Sequence, residues 1–220
     1  MARTPKKRAR ADADKQTRRH DILRAAAQAF AEGPLSSVTM ADVARRAGLA
    51  KGTVYLYFPS KEALFLQLVI DGLGAWFRAV EAELQNAHAE LTADALAELL
   101  VRSLVADDTL KRLLTLLHPV LEENIDDAVA VAFKRSLRDQ VACAGALLER
   151  RFPAFGPLDG SRFLLQFNAM VIGLHAMTTP SAAVARAMTL PDLAPLRLSF
   201  AAELRAVAAG LLRGWRPRPG

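Results

Sequence analysis

Residues 39–59 read TMADVARRAGLAKGTVYLYFP and contain two short helical patterns separated by a glycine. The Thr39 hydroxyl can accept a hydrogen bond from an unpaired amide of a first helical turn, and Asp42 can reach back to Thr39, as in a capping box. A helix is therefore expected to start directly after Thr39. Gly48 ends this helix, and a second run follows up to the final proline. Two short helices joined by a glycine turn predict a helix-turn-helix.

The two predicted helices have one apolar and one polar side. The apolar side chains are expected to form a buried wedge between the helices: Val43, Leu49, Val54 and Phe58. The outer face of the second helix then carries Lys51, Thr53, Tyr55 and Tyr57. Polar side chains on such a face can reach phosphates and base edges in the major groove of DNA. Either tyrosine can instead pack in the core, and this alternative applies more to Tyr57 than to Tyr55.

Basic residues concentrate in the N-terminal quarter of the chain. Residues 1–62 hold 13 Lys and Arg against 6 Asp and Glu, a net charge of +7, whereas residues 63–220 hold 16 against 17, a net charge of −1. Segregated positive charge indicates a surface that meets phosphates. Residues 17–31 have the spacing of an amphipathic helix ended by Gly33. Residues 1–16 are expected to be a disordered basic tail that adds only salt-sensitive attraction.

The N-terminal segment closely resembles a known DNA-binding signature. Residues 17–66 resemble that of the tetracycline-repressor (TetR) family, and the most specific part is AKGTVYLYFPSKEAL at residues 50–64. The resemblance implies that Thr39, Tyr57 and Lys61 contact phosphates and that Lys51, Thr53 and Tyr55 face the groove. The DNA-binding residues predicted in this way are Thr39, Ala50, Lys51, Gly52, Thr53, Tyr55, Leu56, Tyr57 and Lys61. Lys61 also fits this role on physical grounds, because the amides and dipole of a helix N-terminus favour an anion.

Two residues depart from the family's pattern. Ala50 stands where the family often has serine, so the second helix lacks a side-chain oxygen at its start. Leu56 stands where the family often has an aromatic residue, and it can offer a base only apolar contact, for example with a thymine methyl group. We expect the fold to survive both changes, which bear instead on the bases that are read.

The rest of the chain is expected to be helical, because its apolar residues keep helical spacing and no alternating strand pattern occurs. A long helix is predicted from Leu121 to about Arg151, followed by helices at Ser161–Met177 and at about Leu196–Leu212. The predicted fold class is all-α. Its parts are the tail at 1–16, a helix-turn-helix DNA-binding domain at 17–62 and a helical ligand-binding and dimerisation domain at 63–220.

The last two predicted helices are too apolar to lie on the surface of a monomer. Burial in a two-fold interface explains this composition, and the resemblance implies a dimer built from the last two helices. The predicted interface residues are Phe163, Val171, Leu174, Phe200, Leu204, Val207 and Leu211.

The resemblance also implies a ligand cavity among the central helices, with apolar walls and a few convergent polar groups. The candidate wall residues are Trp76, Phe77, Leu117, His118, Phe133, Phe167 and Met170. The candidate polar groups are Asn124, Asn168 and His175. Packing in the core is the alternative for each of them, and His118 can be a hydrogen-bonded core histidine.

Several classes of protein are disfavoured. The single cysteine, Cys143, cannot form a disulfide within the chain, and the four histidines lack metal-ligand spacing. We therefore expect a reducing cytoplasm, a buried Cys143, and neither a metal nor a cofactor. No apolar segment follows the basic N-terminus, so neither a signal peptide nor a membrane anchor is expected. No nucleophile elbow, phosphate-binding glycine loop or spaced carboxylate pair points to an enzyme.

The predicted function is that of a dimeric repressor released from a palindromic operator by a small, largely apolar ligand. Two recognition helices must lie about 34 Å apart, or near a multiple of that distance, to enter the major grooves of a palindromic operator. The ligand is expected to favour a geometry with a different separation. Two alternatives stay open. One is a DNA-binding dimer whose C-terminal domain binds no small molecule and serves dimerisation or protein docking, and the more remote one is a helical enzyme.

Overall fold

The computed structural model describes residues 5–86 and 91–216, with side chains from residue 13 onward, and these residues form helices and connections without a β-strand. The predicted all-α class is therefore confirmed. The helices are α1 (Pro5–Glu32), α2 (Met40–Arg46), α3 (Lys51–Tyr55), α4 (Lys61–Asn86), α5 (Ala93–Val105), α6 (Asp108–Leu116), α7 (Asp127–Arg151), α8 (Asp159–Thr178), α9 (Ala182–Ala187) and α10 (Phe200–Arg213).

The N-terminal unit consists of α1, α2, α3 and the start of α4 around a small apolar core. Phe30 of α1 and Phe65 of α4 meet edge to face, with ring centroids 5.5 Å apart. Val43 of α2 and Val54 of α3 are fully buried in the same hydrophobic core. Buried side chains from all four helices thus fix the orientation of α3 and leave its opposite face exposed.

α1 begins at Pro5, well before the predicted start at residue 17. Residues 5–16, expected to be a disordered tail, continue the helix instead. No apolar stripe marks this part, so hydrophobic periodicity does not reveal it. Alanine, lysine and arginine favour helix, and extending an existing helix avoids the cost of nucleation. Residues 1–4 of the predicted tail lie outside the described residues.

α4 connects the N-terminal unit to the rest of the fold. Its 26 residues span about 39 Å at 1.5 Å per residue. The helix packs against α1 near its start and against α5, α6 and α7 further along. It is also the one candidate membrane span among the described helices, by length and composition alone. Leu64, Phe65 and Val69 are fully buried, however, which is typical of a core helix.

The connection before α7 differs from the predicted one. A five-residue π-helical segment, Leu117–Leu121, follows α6 and contains Pro119. α7 then begins only at Asp127, where the carboxylate of Asp126 accepts a hydrogen bond of 2.8 Å from a first-turn amide. The predicted start at Leu121 is wrong, because proline removes an N–H from the helical hydrogen bonds and Asp126 caps a new helix.

α7 and α8 form a hairpin whose backbones meet at two glycines. A Cβ atom added at Gly145 would lie 2.5 Å from the backbone nitrogen of Ser161. One added at Gly160 would lie 2.7 Å from the carbonyl carbon of Gly145. Only a residue without a Cβ atom permits so close an approach. This Gly145–Gly160 crossing fixes one end of the hairpin.

α10 closes the second unit by packing against α5 and α8. Trp215, just after α10, meets Phe155 of the α7–α8 connection edge to face, with ring centroids 5.0 Å apart. α10 begins at Phe200 rather than near Leu196, because a 3₁₀ segment at Pro191–Leu196 precedes it.

Candidate DNA-binding surface and ligand cavity

Thr39 caps α2. Its Oγ1 accepts a hydrogen bond from the Asp42 backbone N–H (3.1 Å), and its hydroxyl donates to the Asp42 carboxylate (2.6 Å). The hydrogen bond from Thr39 is the main cause that holds the pKa of Asp42 below its usual value. The predicted capping interaction is therefore present. The Thr39 hydroxyl donates its proton to Asp42 of the same chain.

The turn between α2 and α3 depends on Gly48, whose φ of 68° lies in the left-handed region that favours glycine. Ala50 is the extended residue before α3, and no side chain caps this end of the helix. The turn glycine and the uncapped α3 both agree with the sequence analysis.

The outer face of α3 is exposed. The Lys51 ammonium lies 5.9 Å from the centre of the Tyr55 ring, which is 44% exposed. Leu56, directly after the helix, is 83% exposed and so gains little from packing within the single chain. Gly52 is exposed and Thr53 is half-buried. This face therefore presents a cation, two hydroxyl groups and one apolar side chain.

Tyr57 and Lys61 lie at the edge of this face. Tyr57 is half-buried and packs against the core. Lys61 donates a hydrogen bond through Nζ to the Leu35 carbonyl oxygen (3.2 Å). Ser60 caps α4, because its Oγ accepts a hydrogen bond from the Ala63 amide (3.0 Å). Tyr57 and Lys61 thus make contacts that stabilise the helix-turn-helix, and their side chains are only partly available at the surface.

An apolar cavity lies among α4 to α8, and predominantly apolar walls are typical of small-molecule sites. Trp76 and Phe167 stack in its wall with ring centroids 6.1 Å apart. The Trp76 indole N–H donates a hydrogen bond to Ser103 (2.8 Å), so the ring has no unpaired donor. The apolar wall residues are Leu73, Trp76, Phe77, Leu104, Leu114, Leu117, Leu137, Val141, Leu164, Leu165, Phe167 and Val171.

The structure brings together five of the seven predicted wall residues: Trp76, Phe77, Leu117, His118 and Phe167. Phe133 and Met170 do not line the cavity. Phe133 lies instead in a cleft with Tyr57 and Phe58, between α7 and the N-terminal unit. Met170 packs against the core from another side of α8. The reason is the rotation of α7 and α8 about their axes, which periodicity does not determine.

Of the three polar candidates, only Asn168 lines the cavity. Its Oδ1 is buried and has no hydrogen-bond partner among the described residues. His175 lies elsewhere, with its ring 6.2 Å from that of Phe200. Burial, followed by the positive charge of Lys111, lowers the pKa of His175. Asn124 is exposed and donates a 3.4 Å hydrogen bond to a backbone carbonyl.

Charged groups cluster at one end of the cavity. Glu122 accepts a hydrogen bond from Lys134 Nζ (2.8 Å) and lies 3.3 Å from His118 Nδ1. His118 and Lys134 also line the cavity. This network ties the π-helical segment to α7 and pairs the lysine with a carboxylate.

α6 joins the cavity to the N-terminal unit. Arg112 donates a hydrogen bond through Nη2 to the Gly33 carbonyl oxygen at the end of α1 (2.8 Å). Its guanidinium carbon lies 4.1 Å from the centre of the Phe30 ring. Leu114, on the same helix, lines the cavity. A movement of α6 would therefore affect both the cavity wall and the end of α1.

Comparison with known proteins identifies the family. The family model described as "Tetracyclin repressor-like, C-terminal domain" matches residues 71–219, more than half of the chain. The model described as "Bacterial regulatory proteins, tetR family" matches residues 22–68. The chain belongs to the TetR family.

Two curated TetR-family relatives match part of the chain. The fatty acid metabolism regulator protein of Bacillus subtilis is 31% identical over 65 residues, which are 30% of this chain and 34% of that protein. The HTH-type transcriptional repressor KstR of Mycolicibacterium smegmatis is 39% identical over 70 residues, which are 32% of each chain. The matches thus span about a third of the length of these relatives.

Solved TetR-family structures share the fold over most of the chain. The fatty acid degradation regulator FadR from Bacillus halodurans has a TM-score of 0.56 at 19% identity, covering 90% of this chain and 99% of that chain. FadR from Bacillus subtilis, solved in complex with stearoyl-CoA, has a TM-score of 0.50 at 18% identity, covering 89% and 97%. At these identities the likeness is one of fold.

The predicted dimer residues of this TetR-family chain divide by burial. Three are fully buried inside the single chain: Phe163, Val171 and Leu204. They pack in the subunit core and cannot reach a partner, so the interface prediction for these three is corrected. Three others are half-buried: Leu174, Phe200 and Leu211. Val207 is 45% exposed and is available to a partner.

A set of exposed apolar side chains in the same region was not predicted from the sequence. Leu165 and Met177 are exposed on α8, and the α8–α10 connection adds Val184, Leu190 and Leu196. A Cβ atom added at Gly173 or Gly210 would meet no atom within 4 Å, so another backbone can approach there. A second apolar stripe on α8, away from the buried phenylalanines, is the signal that could have revealed this surface.

Proposed function

We propose that the chain is a dimeric, cytoplasmic repressor that binds a palindromic operator through α3 and releases it when a small, largely apolar ligand fills the cavity. The DNA-binding domain comprises residues up to 62, and the remainder binds the ligand and forms the dimer. The position of α6 carries the proposal, because this helix forms part of the cavity wall and holds the end of α1 through Arg112.

On the DNA side, α3 enters the major groove. Lys51, Thr53 and Tyr55 contact base edges, and the exposure of Leu56 suits an apolar contact with a thymine methyl group. The phosphate backbone is met by Thr39, Tyr57 and Lys61, and the DNA-binding surface also includes Ala50 and Gly52. The net charge of +7 in residues 1–62 supplies the long-range attraction.

On the ligand side, the aromatic and aliphatic wall favours a molecule with a long apolar part. The fold neighbour from Bacillus subtilis was solved with stearoyl-CoA, which makes acyl compounds the first class to test. Asn168 offers the one unpaired buried amide oxygen of the described cavity wall.

The coupling between the two sites runs through α6. A ligand that presses on Leu114 displaces α6 and disturbs the contact of Arg112 with Gly33 and Phe30. The N-terminal unit then turns, and the two recognition helices of the dimer leave the separation of about 34 Å that successive grooves require. A 100-fold loss of operator affinity needs a ligand preference of about 2.7 kcal/mol for the released state.

The experiment that tests the DNA side is selection of bound sequences from random duplex DNA, with Lys51→Ala/Tyr55→Ala protein as the control. A palindromic motif that the control loses supports the proposal. Salt-sensitive binding without a motif would contradict sequence-specific recognition. Thermal-shift and operator-release assays with lauroyl-CoA then test the ligand side, since a bound ligand stabilises the fold by mass action. Turnover of the ligand would favour an enzyme instead.

The dimer is tested by charge insertion on α10. Val207→Asp places a carboxylate on the exposed apolar surface and is expected to yield monomers that bind the operator weakly. Val131→Asp on α7 is the matched control, because Val131 is 48% exposed and Val207 is 45% exposed. Sedimentation velocity measures the result. An intact Val207→Asp dimer would place the interface elsewhere.

A further inference from the structure

A second groove, which carries charged side chains, lies beside the apolar cavity, between the outer sides of α4 and α7. This α4–α7 groove is lined by Phe77, Arg78, Glu81, Gln140, Cys143 and Arg150, among others. Its two arginines and one glutamate leave a net charge of +1. Neither arginine has an ion-pair partner within the described part of the chain, so both guanidinium groups are available to an anion.

Phe77 separates the groove from the cavity. Its side chain lines both spaces and also a small void that shares wall residues with each of them. The void shares Leu164 with the cavity, and it shares Ala144 and Leu147 with the groove. The three spaces therefore follow one another. Because Phe77 is only half-buried, a rotation of its ring can connect the cavity to the groove.

Gln140 provides a hydrogen-bond acceptor at the groove. Its Nε2 donates to the Ile70 carbonyl oxygen (3.0 Å), which fixes the orientation of the amide. Its Oε1 is buried and has no partner among the described residues. An unsatisfied buried acceptor favours a ligand that brings an N–H or O–H group.

The opposite, charged end of the cavity is less suited to an anion. Lys134 is the cation there, and Glu122 already accepts its hydrogen bond at 2.8 Å. His118 lies against the same carboxylate at 3.3 Å. The two groove arginines have no such competing carboxylate contact among the residues that the structure describes.

We infer that the α4–α7 groove binds the anionic head group of an amphiphilic ligand whose apolar tail occupies the cavity, with the Phe77 ring turned aside between them. This inference rests on the proposed function and specifies its ligand class. Arg78 and Arg150 bind the anion, and Gln140 Oε1 can accept a hydrogen bond where the head group also carries an N–H or O–H donor. A fatty acid carboxylate and the phosphates of an acyl thioester are both anions that the two arginines can bind, and the probes below distinguish them.

Cys143 supplies a direct test, because it is the single cysteine of the chain, lines the groove and is exposed rather than buried as expected. The rate at which the neutral reagent 4,4′-dithiodipyridine labels Cys143 is measured with laurate, lauroyl-CoA or 1-dodecanol. An acidic probe at ten times its Kd is expected to slow labelling about tenfold. Dodecanol, with the same tail and no charge, is expected to leave the rate unchanged.

The arginines are tested by affinity. Arg78→Gln/Arg150→Gln is expected to weaken binding of the acidic probes by about 10- to 100-fold and to leave dodecanol binding unchanged, as measured by calorimetry. Arg135→Gln/Arg138→Gln is the matched control. It removes two exposed charges from α7 at positions that line neither the cavity nor the groove. Circular dichroism verifies that both variants are folded.

The outcomes separate this inference from the proposed function. Protection of Cys143 by laurate supports a carboxylate head group, and protection by lauroyl-CoA alone supports the phosphates. If lauroyl-CoA releases the operator but leaves Cys143 labelling unchanged at saturation, the groove inference is overturned and the repressor function stands. Equal affinities of the two double variants for the acidic probes would also overturn it. Binding of none of the three probes to the wild-type protein contradicts both the groove inference and the acyl ligand class.

Discussion

Replacing Arg112 with methionine tests whether α6 transmits the ligand signal. Methionine keeps an apolar side chain beside Phe30 but removes the 2.8 Å hydrogen bond to Gly33 and the cation 4.1 Å from the ring centre. A hydrogen bond from a charged donor contributes about 1.5–3 kcal/mol, and a cation–π contact at a partly exposed site about 0.5–1 kcal/mol. Arg112 is half-buried, so solvent screening reduces the sum. We expect the coupling free energy between the cavity and the N-terminal unit to fall by about 1–2 kcal/mol, which is about 5- to 30-fold in the coupling constant.

The measured quantity is the ratio of operator dissociation constants with and without a ligand that releases the wild-type protein. Arg112→Met is expected to lower this ratio by the factor above, because the two sites are coupled through the lost contact. Fluorescence anisotropy of a labelled operator at one fixed salt concentration measures both constants. Lys111→Met is the control, since Lys111 pairs with Asp108 at 2.7 Å. If this ratio is the same for Arg112→Met as for the wild-type protein, coupling through Arg112 is refuted.

Three further predictions concern the fold and the DNA surface. Gly145→Ala should lower the free energy of unfolding by about 1–3 kcal/mol in urea denaturation, because the added methyl group meets backbone atoms; Gly52→Ala, with open space around it, should not. Thr39→Ala should raise the pKa of Asp42 toward its usual value in an NMR titration, since the main stabilising hydrogen bond is lost. The stability that Asp42 contributes is present above its unfolded-state pKa and is lost as the pH falls through its lowered folded-state pKa, so the two proteins should converge in acid. Lys61→Ala should weaken binding to all duplexes alike and reduce the salt slope by about one unit, whereas altered sequence preference would argue for base contact.

The helix-turn-helix was predictable because it is built from contacts between residues that are close in sequence. Thr39 and Asp42 are three residues apart, and their hydrogen bonds are determined by that spacing. Gly48 has the left-handed conformation that its position in the turn suggests. The bare N-terminus of α3 follows directly from Ala50. Such local interactions leave few alternatives for the chain.

The cavity and interface were only partly predictable, because periodicity shows that a helix has an apolar side but not which neighbour covers it. Phe163 and Leu204 pack within the subunit, although a dry dimer interface would have the same composition. Phe133 faces the N-terminal unit rather than the cavity. Cys143 is exposed, whereas Ala144, one residue along α7, is buried. These outcomes depend on how each helix is rotated about its own axis. That rotation is determined by contacts between residues that are far apart in the sequence.

The Gly145–Gly160 crossing holds the backbones of α7 and α8 together at one end of the hairpin. Further along the same two helices, Leu137 of α7 and Val171 of α8 line the cavity. We therefore expect the spacing of the two helices at the cavity to depend on how closely they approach at the glycines. Substitutions at wall positions can change the shape of the binding space while the crossing stays the same. A side chain at either glycine would push the two backbones apart and alter the cavity as a whole, so the hairpin separates positions that can vary from positions that cannot.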